Sequence, residues 1–69
     1  MAIIESQTFG DVTVELEKDA PMSPWVVRVS RKGKELNVLG FMYEETAIAS
    51  MHHECRKARR GDYNENSQH

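Results

Sequence analysis

Hydrophobic and polar residues alternate along much of the chain before residue 42. Val12, Val14 and Leu16 are separated by Thr13, Glu15 and Glu17. A period of two puts the apolar set on one face of a half-buried strand. Trp25, Val27 and Val29 repeat the pattern against Val26, Arg28 and Ser30, and Leu36 and Val38 resume it in a further strand ending near Phe41. Upstream, Ile3, Ile4 and Phe9 suggest another strand before Gly10-Asp11. The stretch Asp19-Ala20-Pro21-Met22-Ser23-Pro24 has two prolines and no periodicity. Each proline removes a donor and restricts its predecessor, so this stretch reads as a loop.

Lys32-Gly33 is a two-residue turn, and its length fixes a register. Arg31 then faces Lys34, Val29 faces Leu36, Val27 faces Val38 and Trp25 faces Gly40. In that register Val26 and Leu39 turn outward together, with Phe41 close by.

From residue 44 the period changes. Ala47, Ile48, Met51, Cys55 and Ala58 form one helical stripe over 44–60. Glu44 and Glu45 stand at the start and Arg56, Lys57, Arg59 and Arg60 at the end, as the helix dipole favours. Gly61 is a natural stop. The predicted fold class is α+β: a three- or four-stranded antiparallel β-meander packed on one C-terminal helix. The domain runs over 1–61, and the polar segment 62–69 reads as a disordered tail. The expected core is Val12, Val14, Leu16, Trp25, Val27, Val29, Leu36, Val38, Ile48 and Met51. One helix covers one sheet face and leaves the other open.

Length bounds the function. Sixty-nine residues and 7.9 kDa allow one small domain with a marginal core. Mean hydropathy is −0.63, and no apolar run is long enough to span a bilayer. The start, Met1-Ala2-Ile3-Ile4-Glu5, lacks the pattern of a signal peptide. A single cysteine cannot form an internal disulfide, which fits a cytoplasmic, reducing setting.

Charge is uneven along the chain. Glu5, Asp11, Glu15, Glu17 and Asp19 face only Lys18 in the first part, whereas Arg28, Arg31, Lys32 and Lys34 face only Glu35 in the next. Such a molecule has an acidic side and a basic side.

The cluster His52, His53, Glu54 and Cys55 is the one stretch with metal-like chemistry. His52 and Cys55 can meet on a helix surface. Zinc needs three or four ligands and no second pair exists, so no metal and no cofactor are expected. Nucleophilic use of Cys55 would need a base oriented by a third group, and no triad, phosphate loop or zinc-protease motif is present. The expectation is a non-enzyme.

Trp25-Val26-Val27-Arg28-Val29, then Arg31-Lys32-Gly33-Lys34, then Gly40-Phe41 before a helix carrying Ala47 resembles the arm-binding domains of phage tyrosine recombinases. The likeness covers about half of the chain. It implies a three-stranded sheet backed by a helix, with an open sheet face that reads the major groove. Carried over, Arg28, Lys32 and Lys34 would touch phosphates or bases. This sequence departs from that pattern. Its open face should carry Thr13, Glu15, Glu17, Val26, Arg28, Ser30, Glu35, Asn37 and Leu39, three carboxylates against one arginine. Phosphate neutralisation supplies affinity for DNA, so that face would repel a duplex. A basic N-terminal arm is also missing. The layout is similar too to double-stranded RNA-binding domains, but their opening helix is absent and Glu44-Glu45 replaces their lysine cluster.

The expected function is therefore a non-catalytic binding module that docks on a protein, its own copy included. General analogy with small phage or mobile-element regulators and inhibitors, for example of a host or defence complex, points the same way. The expected contacts are Val26, Arg28, Leu39 and Phe41, with Arg31, Lys32 and Lys34 at the rim, and Met22 of the proline loop could add a flexible contact. The alternative is a nucleic-acid-binding regulator using Arg28, Arg31, Lys32, Lys34, Arg56, Lys57, Arg59 and Arg60.

Overall fold

A computed structural model describes residues 2–63. Four strands form one antiparallel sheet in sequence order: β1 (Ala2–Phe9), β2 (Val12–Lys18), β3 (Trp25–Arg31) and β4 (Lys34–Phe41). One helix, α1 (Glu44–Arg60), packs across the sheet and touches all four strands. The α+β meander expected from the periodicity is the observed fold, with all four strands present. The segment 64–69, part of the expected tail, lies outside the described residues.

The core follows the two periodicities. Val12, Val14 and Leu16 of β2 and Val27 and Val29 of β3 meet Ala47, Met51, Cys55 and Ala58 of α1, all buried. Each such valine, leucine or methionine contributes on the order of 2 kcal/mol by leaving water. Trp25, Phe41, Ile48, Phe9 and Tyr63 pack around this centre, half-buried. Trp25 and Ile48 therefore belong to the rim of the core.

Turn chemistry closes the sheet. Lys32 and Gly33 both take positive φ, 53° and 80°, as a type I′ hairpin turn requires. The Lys32 amide also donates to the Asp11 carbonyl at 3.2 Å, which ties the two hairpin turns together. The helix ends as its sequence predicts. Gly61 sits at φ 90°, its amide bonds the Ala58 carbonyl, and the Asp62 amide bonds the Lys57 carbonyl. This double bond satisfies carbonyls that the last turn would otherwise leave open.

The β3–β4 register differs from the expected one. Arg31 faces Lys34 and Ser30 faces Glu35, but Val29 faces Asn37, Val27 faces Leu39 and Trp25 faces Phe41. A β-bulge places Leu36 as an extra residue, and every later side chain changes face. Leu36 and Val38, expected in the core, are exposed. Leu39, expected on the open face beside Val26, lies on the helix-facing side with Val27, and Phe41 packs against the core. Val26 instead faces Gly40. The apolar residues of β4 change parity partway, Leu36 and Val38 even, Leu39 and Phe41 odd. Only one pair can face the helix, and Leu with Phe removes more apolar surface from water than Leu with Val.

Candidate docking surface

With the corrected register, the open face carries Thr13, Glu15 and Glu17 of β2, Val26, Arg28 and Ser30 of β3, and Glu35, Val38 and Gly40 of β4. Arg28 sits at its centre. Its Nε donates to Glu17 Oε2 at 3.0 Å, its Nη2 to Glu17 Oε1 at 3.5 Å, and its Nη1 to Glu35 Oε2. Glu17 is only 4% exposed. It lines a cavity of about 120 Å³ with Lys18, Asp19, Ser23, Pro24, Val26 and Arg28, where the proline loop meets the sheet. The bond to Glu17 is the main cause that holds the Arg28 guanidinium above its usual pKa. Glu15 lies opposite Arg28 across the strands, yet burial and the neighbouring Glu17 carboxyl push its pKa up. The face is acidic, as the sequence implied, and its arginine is engaged by carboxylates.

The expected apolar contact pair does not assemble there, because Leu39 and Phe41 lie on the other side of the sheet. The open face retains Val26 and the 44%-exposed Val38.

A larger apolar surface lies at the end of the sheet where Trp25 pairs with Phe41. Met22 is 96% exposed and Met42 82% exposed, and with Lys18, Pro21, Ser23, Pro24 and Trp25 they line a cleft of about 520 Å³. Tyr43, also exposed, follows as the N-cap of α1. Lys18 braces the cleft: its Nζ donates to the Ser23 carbonyl at 2.5 Å and stands 4.9 Å from the centroid of the Trp25 ring. Unbranched methionines beside an aromatic ring adapt to many apolar shapes. The sequence named Met22 but missed Met42. The available signal was a Met-Tyr pair in the short linker between a strand and a helix start, outside either element's apolar stripe.

The opposite end is basic. The two hairpin turns and the C-terminus of α1 converge there. The Arg31 Nη1 donates to the Tyr63 carbonyl at 2.6 Å, Lys57 Nζ stands 5.0 Å from the Tyr63 ring centroid, and the Arg59 guanidinium lies 5.6 Å from the Phe9 centroid. Lys32 approaches Asp11 at 3.8 Å, and Arg60 bonds Asp62 at 2.6 Å. Of the eight residues expected to touch nucleic acid, Arg31, Lys32, Lys34, Lys57, Arg59 and Arg60 share this end, Arg56 lines a groove beside Gln7 of β1, and Arg28 belongs to the acidic face.

Tyr63, read from sequence as tail, belongs to the fold. Its hydroxyl donates to Oε1 of the buried Glu54, which Lys57 Nζ also approaches at 3.7 Å. Burial, then the bond to Glu54, raises the Tyr63 pKa.

His52 and His53 are exposed and Cys55 is buried. Burial pushes the Cys55 thiol pKa up, away from the thiolate that nucleophilic or metal chemistry would use. Among the described residues no three His, Cys, Asp or Glu side chains converge on a metal-sized site. No helix among them is long and apolar enough to cross a membrane. No family model matches the chain, and no curated protein or solved structure matches it.

Proposed function

We propose that this chain is a non-catalytic module that docks on a protein through the Met22–Trp25–Met42 cleft, acting by steric occupation of its partner's surface. The observation that carries the reading is the near-complete exposure of two methionines around one half-buried tryptophan. Apolar groups gathered in this way are a recognition surface. Arg28, first expected among the contacts, acts within the fold by neutralising Glu17. Val26 and Val38 extend the contact onto the open face. Arg31, Lys32 and Lys34 lie at the far end and take no part. A regulator or inhibitor of a larger complex, of the kind small phage proteins supply, fits this mode of action, as does self-association. A cytoplasmic setting fits the lone free thiol.

A photo-crosslinking amino acid at position 42, compared with one at the exposed helical position 46, tests the reading in cells. Protein adducts specific to position 42, lost on Met22→Asp, are the expected result. Light scattering separates a second copy from another protein. Equal adducts at both positions would remove the cleft from consideration.

One observation favours a nucleic-acid-binding regulator as the second reading: hairpin and helix cations gather at one end. In that case retention on a duplex falls steeply with salt, and charge reversal at Lys34 and Arg59 abolishes it while Met42→Asp does not.

A further inference from the structure

The groove between β1 and α1 has a different chemistry from the apolar cleft. It is lined by Gln7 of β1 and by His52, Cys55, Arg56 and Arg59 of α1, and encloses about 370 Å³. β1 is an edge strand, so alternate backbone N–H and C=O groups along it face away from β2. Residues 3–8 are all exposed. The irregularity in β1 falls between Ile3 and Glu5, which leaves Glu5 to Phe9 in unbroken register with β2. The other edge, β4, carries its bulge at Leu36 and opens with Lys34, features that blunt an edge. β1 is thus the edge on which a further strand can form.

We propose that this groove binds an extended acidic peptide segment of a partner protein, which pairs with β1 as a fifth strand. Main-chain hydrogen bonds to β1 supply affinity, and side chains on one face of the added strand supply selectivity. The register says which side chains. Gln7 faces Val14 and Phe9 faces Val12, so both lie on the helix-facing side of the sheet. Alternate residues of an added strand point to that same side. Carboxylates at those places meet Arg56 and Arg59, whereas lysines would meet like charge. Glu5, opposite Leu16, lies on this side where the unbroken register with β2 begins, and Gln7 Nε2 donates to its Oε2 at 3.2 Å. The acidic residues therefore belong beside Gln7 to Phe9, away from Glu5.

The probe is an end-capped peptide of alternating Thr and Glu, titrated into the labelled full chain and followed by backbone NMR. The expected result is shifted and exchange-protected amides within Glu5–Phe9, with shifts at Arg56 and Arg59. Binding is lost when lysine replaces glutamate, and when alternate peptide amides are N-methylated to remove their donors. The double variant Arg56→Glu with Arg59→Glu, checked for native circular dichroism, weakens binding at least about tenfold. Met42→Asp leaves it unchanged, which separates failure here from failure of the apolar cleft. No binding up to about 1 mM, equal binding of the N-methylated peptide, or preferential binding of a duplex by the same arginines overturns the proposal.

Discussion

Arg28 and Glu17 form an ion pair that reaches beneath the acidic sheet face. The guanidinium Nε stands 3.0 Å from a carboxylate whose side chain is 5% exposed. A buried carboxylate is tolerable only while its partner is present, because removing one member leaves an unpaired charge out of water. Arg28→Ala should therefore destabilise the fold by about 2 kcal/mol, below the usual cost for a fully buried pair because the arginine is partly solvated. Glu17→Gln with Arg28 intact should cost less. Urea denaturation of both variants checks this, and equal small losses would show that the pair is merely adjacent.

Glu15 shares that face and titrates against the fold. Its carboxyl pKa is raised above the ordinary glutamate value, first by burial and then by Glu17. The folded state thus holds this proton more tightly than the unfolded chain does. The stability this gives is full below the unfolded value of about 4.5 and is lost as pH rises through the folded one. Glu15→Gln should stabilise the protein at neutral pH relative to wild type, and the difference should vanish toward pH 4. Parallel denaturation curves across that range measure it. A variant less stable at pH 7 would contradict the sign.

Tyr63 anchors the chain after the helix by bonding buried Glu54. Tyr63→Phe keeps the ring over Lys57 but removes the hydroxyl donor, which should cost about 1–2 kcal/mol. Tyr63→Ala also removes the ring packing and should cost more. If Tyr63→Phe melts with wild type, Lys57 alone satisfies Glu54.

Sequence periodicity located β2, β3 and the helix, each of which has its own repeat, whereas β1 was suggested only by Ile3, Ile4 and Phe9 before the Gly10-Asp11 turn. Val12, Val14 and Leu16 can share a face only in a strand, and Ala47, Ile48, Met51, Cys55 and Ala58, which mix odd and even positions, only in a helix. The helix stop was legible because Gly61 alone accepts φ 90° there without strain. The face of β4 was not legible, because its apolar residues fit either parity and a single bulge decides between them. The docking surface moved for that reason. The Leu39 partner of Val26 went to the helix side, while Met42 emerged beside Met22 through a contact between a loop and a linker distant in sequence. Tyr63 was missed because a polar run offers no period to read, whereas the hydroxyl–carboxylate bond that fixes it is tertiary.

The bulge itself can be tested by deletion. Leu36 is the extra residue between the Ser30–Glu35 and Val29–Asn37 pairs. Removing it leaves Glu35 and Asn37 adjacent, each still opposite its present partner, so Leu39 stays with Val27 and Phe41 with Trp25. Removing Asn37 instead brings Leu36 opposite Val29, again without moving Leu39. Both deletions should fold with stability within about 1 kcal/mol of wild type, as expected for surface changes that leave the core in place. The Asn37 deletion should be the more stable of the two, since a leucine then replaces a polar side chain on the helix-facing side. Cross-strand NOEs between residues 27 and 39 (wild-type numbering) report the retained register. If either deletion instead moves Leu39 out of its pairing with Val27, burial of Leu39 and Phe41 is not what sets the face of β4.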